Sequence, residues 1–317
     1  MIKLYFDTNI YNFISERHET GVVRKTLKSF GYKALASSTN LMEILANPDW
    51  DKRYAALETL TSVASLFEKV PLSFLEAQEV QFEIRRCRPD WIKPITYTKN
   101  VQKYLQEHQQ NWRDARDGIR IFIRNKDIVQ DPASKESLHL QKLRRQDLIN
   151  GRSEILITES KNQKLEVVDK IDITDPEMYW RHMCLRVWYT ALVDKVRGMK
   201  DYSDWLSPYI KDNCFRDPSY IDFWMKDVMA ENVPYNRIVG LFMYYQSLHH
   251  KITHGNPGDQ NHVGQLLDVD YFVTADRAFY DDMVTTTTLH CPNVGHPLLL
   301  NRSAPSACEE ILSSLRQ

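Results

Sequence analysis

The chain opens on an apolar run, Ile2 to Phe6, that stops at Asp7-Thr8-Asn9 and gives way to the helical spacing of Ile10 to Glu16. That order predicts a strand, a turn and a helix. A second copy follows: Lys33 to Ala36 is strand-like, Ser38 or Thr39 can cap, and Leu41, Ile44 and Leu45 form an apolar helical face with Glu43 in the first turns. Helical periodicity then covers Tyr54 to Ala64, a third strand is expected over Leu66 to Val70, and Phe74 to Arg86 is helical again. The N-terminal third alternates β and α.

From about Pro89 to Glu231 strand signals nearly vanish, Trp and Tyr become frequent, and Pro94, Pro132, Pro176, Pro208 and Pro218 punctuate helical stretches. The α/β grammar returns with a helix from Tyr235 to Lys251, a loop at His254-Gly255-Asn256-Pro257-Gly258, a helix from Asp259 to Leu267 and the strand Tyr271 to Thr274. Leu298 to Leu300 is the expected last strand. The predicted organisation is a discontinuous core, residues 1–88 and 232–317, carrying a mainly helical insertion, 89–231.

Composition narrows the class only a little. With 317 residues and 43% hydrophobic content the chain can bury a sizeable core, and 41 basic against 42 acidic residues give no global nucleic-acid signature. Any basic surface must be local. The five cysteines are scattered and form no Cys-x-x-Cys pair, which favours reduced thiols in the cytoplasm. No stretch approaches the roughly 20 apolar residues needed to cross a bilayer, so neither export nor membrane insertion is expected.

Four acids carry the candidate chemistry. Ligands of open α/β sheets bind outside the carboxyl ends of the strands, and Asp7 and Asp276 both stand just after strand-like runs. Glu43 follows the strand Lys33 to Ala36 in the same way, and Asp259 opens the helix that leads to the strand delivering Asp276. The motifs Phe6-Asp7-Thr8-Asn9, Ser38 to Glu43, Asp259-x-x-His262 and Val273-Thr274-Ala275-Asp276 resemble those of the PIN-domain nucleases, over roughly residues 1 to 70 and 235 to 300. The resemblance implies a Rossmann-like parallel sheet between helices. It also implies an acidic quartet of Asp7, Glu43, Asp259 and Asp276, with Asn9 and Thr274 as polar supports.

Clustered carboxylates repel one another and are driven toward protonation, whereas a hard dication keeps them ionised. Mg²⁺ or Mn²⁺ is the expected cofactor. The expected reaction is metal-assisted hydrolysis of phosphodiester bonds, in RNA by the resemblance and with DNA as the other possible substrate. His262, three residues after Asp259, shares its helical face and could contact a phosphate or steady the acid. The family's compact members are toxins of toxin-antitoxin pairs, whereas here 216 residues separate Glu43 from Asp259. The insertion is therefore read as a substrate clamp, a dimerisation element or a docking surface for an inhibitor or partner protein. Defence, toxin-like activity and RNA turnover are the roles to weigh.

Arg113, Arg116, Arg120 and Arg124 recur every three or four residues, so one helix face could track a phosphate backbone, with Trp112 adding base stacking. A solvated face paired with neighbouring acids is the simpler account. Tyr179, Trp180, Trp188, Tyr189, Trp205, Tyr209, Tyr220 and Trp224 are expected to pack in a core. Two other readings compete with a nuclease. One is a catalytically silent scaffold of the same fold that binds a protein or RNA through the insertion. The other is a phosphotransferase using Asp7 as nucleophile, which the haloacid dehalogenase pattern opposes because Asn9 stands where a second Asp is needed.

Overall fold

The computed structural model describes residues 1–94, 99–119, 142, 145–157, 166–194, 199–211, 213–216, 219–249 and 256–316. The chain forms two units, one of Met1–Pro71, Tyr104–Gln130 and Asn261–Gln317, the other of Leu72–Lys103 and Asp131–Gln260. Among the described residues no helix is long and apolar enough to cross a membrane.

The first unit begins β1 (Ile2–Phe6), α1 (Thr8–Glu16), α2 (Thr20–Ser29), β2 (Tyr32–Ala36), α3 (Ser38–Ala46), α4 (Trp50–Val63) and β3 (Leu66–Phe67). The second unit holds β4 (Arg152–Ile157) and β5 (Glu166–Asp172), and the first closes with β6 (Tyr271–Thr274) and β7 (His296–Leu299). Five strands make one sheet in the order β3-β2-β1-β6-β7, every neighbouring pair parallel. The fold class is thus α/β, a parallel sheet flanked by helices, as expected. Leu4, Tyr5 and Phe6 on β1 and Ala34 and Ala36 on β2 are almost wholly buried. An unbroken apolar run of this kind is what a central parallel strand, covered on both faces, requires. Gly31, at φ +74°, makes the turn from α2 into β2, a conformation that would strain any residue with a Cβ.

Ends of elements depart from expectation where tertiary contacts override local pattern. β3 has only two residues, α1 begins at Thr8 directly after Asp7, and α2 is an additional helix over residues whose apolar face is narrow, Val23 and Leu27. Trp112, from the helix Lys99–Asp117, lies flat on Phe67 at 4.4 Å with ring planes 7° apart, and it is buried. It is therefore a core residue of the first unit and not the base-stacking surface that was one reading of it.

The second unit is built on the helices Leu72–Cys87, Pro176–Tyr189 and Pro234–His249. Gly240 lets the last two approach so closely that a Cβ there would stand 2.7 Å from the Cβ of Trp180. The expected cuts at 88/89 and 231/232 fall inside this unit, because Leu72–Cys87 and Pro234–His249 pack on each other. Periodicity reveals that a helix has an apolar face but not what that face meets. The antiparallel pair β4 and β5 was masked in the sequence by Ser153, Glu154, Asp169 and Lys170 interrupting its apolar residues. All the aromatics expected in a core are buried except Tyr209, which is half-buried.

Candidate metal centre

The carboxyl ends of β1 and β2 bring two of the expected acids together. Asp7 follows the last residue of β1, and its backbone N–H continues the ladder to Val273 on β6 at 2.9 Å. Glu43 lies in the second turn of α3, whose start is fixed by a capping box: Ser37 Oγ accepts from Asn40 N–H, while Asn40 Oδ1 accepts from Ser37 N–H. The Asn40 amide also donates to the carbonyl of Phe6 and to Thr8 Oγ1, tying this helix to the end of β1. His262 completes the group: Asp7, Glu43 and His262 each offer a ligand atom within 4.8 Å of the others.

His262 is 1% exposed and both ring nitrogens are engaged. Nε2 lies 2.9 Å from Glu43 Oε2 and 3.9 Å from Asp7 Oδ1, and Nδ1 lies 2.6 Å from the Tyr5 hydroxyl. Tyr5 in turn meets Ser37 Oγ at 2.6 Å. Hydroxyls both donate and accept, so this chain can serve either imidazole tautomer. With the proton on Nε2 the ring donates to Glu43; with the proton on Nδ1 it leaves an Nε2 lone pair for a metal.

The two carboxylates are electrostatically unequal. Burial pushes the Asp7 carboxyl up from its ordinary range, against the opposing charge of His262 and a hydrogen bond from Thr274. Burial acts on Glu43 in the same sense, but the charge and hydrogen bond of His262 and a hydrogen bond from Thr8 outweigh it and hold Glu43 below the usual value. A dication would favour ionisation of both.

Asp7 is gripped from β6. Thr274 Oγ1 donates to Asp7 Oδ2 at 2.7 Å, the Asn9 amide donates to the same oxygen, and Asn9 Oδ1 accepts from Ala275 N–H. Asn9 and Thr274 thus hold a ligand. Asp276 is exposed at the end of this link, and its Oδ1 caps the helix Arg277–His290 through Phe279 N–H. Asp259 belongs to the second unit, where Oδ2 accepts from Gln246. Neither acid is part of the Asp7, Glu43 and His262 group. Arg116 is exposed and paired with Asp117 at 2.7 Å, and Arg120 lies outside the described residues.

Two partners escaped sequence reasoning. Tyr5 is an apolar-strand residue by pattern, and only the fold shows its hydroxyl reaching the site. Glu68, after β3, accepts from Ser38 and Gln265 on elements far apart in sequence.

The donor set of two carboxylates and one imidazole fits a divalent cation. No family model, no curated protein and no solved structure matches this chain.

Proposed function

We propose that this protein is a metal-dependent endoribonuclease of the PIN-like type, hydrolysing phosphodiester bonds at the edge of its parallel sheet. The observation that carries the reading is the convergence of Asp7, Glu43 and His262 within 4.8 Å where β1 and β2 end. The motifs Phe6-Asp7-Thr8-Asn9 and Val273-Thr274-Ala275-Asp276 add the resemblance, and RNA is preferred to DNA on that ground. Asp7, Glu43 and His262 would hold the ion, Mn²⁺ before Mg²⁺ because imidazole nitrogen suits the softer cation. Such an ion, when bound, would neutralise phosphate charge and lower the pKa of a water. Asn9 and Thr274 keep Asp7 aimed, Tyr5 holds Nδ1 of His262 in either tautomer, and Asp276 stands exposed beside them toward substrate. The face of Arg113 and Arg116 would attract the phosphate backbone.

Labelled single-stranded RNA and DNA incubated with Mg²⁺, with Mn²⁺ and with EDTA provide the test, beside Asp7→Asn and Asp276→Asn. Cleavage that needs metal and Asp7 supports the enzyme; absence of cleavage with every metal, in folded protein, sinks it. A second reading rests on the Nε2 contact of His262 with Glu43, which satisfies the cluster without metal. In that case the unit is a silent scaffold for a protein or RNA partner, and titration with Mn²⁺ should show no binding.

A further inference from the structure

A buried carboxylate needs compensating donors, and one without a cationic neighbour carries a desolvation cost that packing alone would not ask for. Glu68 is such a group. It is 8% exposed, and among the described residues the basic group in ion-pair range is His108, with Nε2 3.6 Å from Oε1, an imidazole that burial pushes toward its neutral form. Burial pushes its carboxyl up to about 7, against hydrogen bonds from Ser38 and Gln265.

Its two oxygens face different elements. Oε1 accepts from Ser38 N–H at 2.8 Å and Ser38 Oγ at 2.6 Å. Ser38 is the first residue of α3, so the carboxylate sits on an orphan N–H at the positive end of the helix that carries Glu43. Oε2 accepts from Gln265 Nε2 at 3.0 Å, in the turn Gly264–Leu267 that directly follows the helix bearing His262. Ser37, Tyr5 and His262 form a second bridge between the same two elements. Both bridges end within a few residues of the 2.9 Å contact between Glu43 and His262.

We propose that Glu68 is a positioning residue of the metal centre: by holding the start of α3 with one oxygen and the turn after His262 with the other, it fixes the separation of Glu43 from His262. The proposal rests on the metal-centre reading above. Glu68 itself touches no ligand atom. It acts through the backbone at Ser38, five residues ahead of Glu43, and through Gln265, three beyond His262. Partners at this remove that orient a ligand typically matter about 10- to 100-fold in metal affinity.

The test is Mn²⁺ binding to the full chain, read by the loss of the free-ion EPR signal, in wild type, Gln265→Leu and Glu68→Gln. Leucine at 265 has no donor for Oε2 of Glu68, so that arm is lost. The amide at 68 keeps both arms: its oxygen accepts from Ser38, and its NH₂ meets the Gln265 amide, which can turn over to present an Oε1 that has no hydrogen-bond partner among the described residues. The expected result is binding weakened about tenfold or more in Gln265→Leu, a Tm close to wild type in both variants, and affinity near wild type in Glu68→Gln. Unchanged affinity in Gln265→Leu overturns the positioning role while leaving the metal centre intact. So does binding weakened in both variants while Tm falls, which would mark a general packing defect. Absence of Mn²⁺ binding in wild type overturns the metal-centre reading itself, and the proposal with it.

Discussion

Each unit buries carboxylates, and they are treated in opposite ways. In the second unit Glu76, Glu79 and Glu83 lie along one helix, Leu72–Cys87, and each is answered by donors of its own. Glu83 accepts from the Arg86 guanidinium, Met229 N–H and the Asn232 amide. Glu79 accepts from the N–H groups of Tyr235 and Asn236 at the start of Pro234–His249, where it acts as a helix cap supplied from outside. Glu76 accepts from the Tyr202 hydroxyl at 2.7 Å. In the first unit Asp7 and Glu43, from separate strand-helix junctions, instead point at one another and at His262. Burial of an acid is therefore no mark of a site. Convergence of acids from different elements is, because it concentrates negative charge that only a proton or a cation can relieve.

The sharpest way to break that comparison is Asp7→Asn. The amide oxygen can keep the bonds from Thr274 and Asn9, so the unit should fold with an unchanged or slightly raised Tm, the usual sign of a site held at a cost to stability. Mn²⁺ affinity and RNA cleavage should both fall, by about a hundredfold or more. Thermal melting beside Mn²⁺ titration checks this, and a variant that melts early yet keeps its metal would make Asp7 structural.

Glu83→Ala should do the reverse. It leaves Met229 N–H and the Asn232 amide without their acceptor and removes the partner of Arg86, a loss of about 3 kcal/mol. Urea unfolding followed by Trp fluorescence would report it, since five of the seven tryptophans belong to the second unit. Mn²⁺ affinity measured below the transition should stay at the wild-type value. A stability loss under about 1 kcal/mol would mean that these hydrogen bonds are replaced by water.

What the sequence disclosed follows the same division. The strand-turn-helix junctions at Asp7 and Glu43 were legible because an apolar run ending at a polar cap has a local signature, and sheet topology then places both acids at one edge. His262 was found through its spacing from Asp259, yet its partners are Tyr5 and Glu43, contacts made across 257 and 219 residues. Nothing local encodes them. Tyr5 and Glu68 were invisible for that reason: an aromatic in an apolar strand and an acid after a two-residue strand look like packing and solvent until the fold joins them. The units differ from the expected division for a related reason, since Leu72–Cys87 and Pro234–His249 carry helical patterns that either unit could have used.

The smallest expected effect, and the one that sharpens the comparison most, is on pH. Burial pushes Glu76 up to about 8 and Glu79 up to about 7, in both cases against the hydrogen bonds that favour the ionised form of Glu79 or of Glu76. Each folded-state value lies above the ordinary carboxylate value of 4.5, so between 4.5 and about 8 the folded unit holds protons that the unfolded chain has released. Their contribution to stability is complete below the unfolded value and is lost as pH rises through 7 and 8. Glu83, held low by Arg86 despite burial, has the opposite sign, and its contribution is lost only as pH falls below the ordinary carboxylate range. The Trp-monitored Tm should therefore decline between pH 5.5 and 8.5, and Glu76→Gln, neutral throughout, should flatten much of that slope. A Tm that rises over this interval, or a slope that Glu76→Gln leaves untouched, would show that Glu76 is ionised in the folded unit. Glu76 would then join Glu83 as an ionised acid held by its own donors, and convergence on a shared point, not protonation, would separate a site from a scaffold.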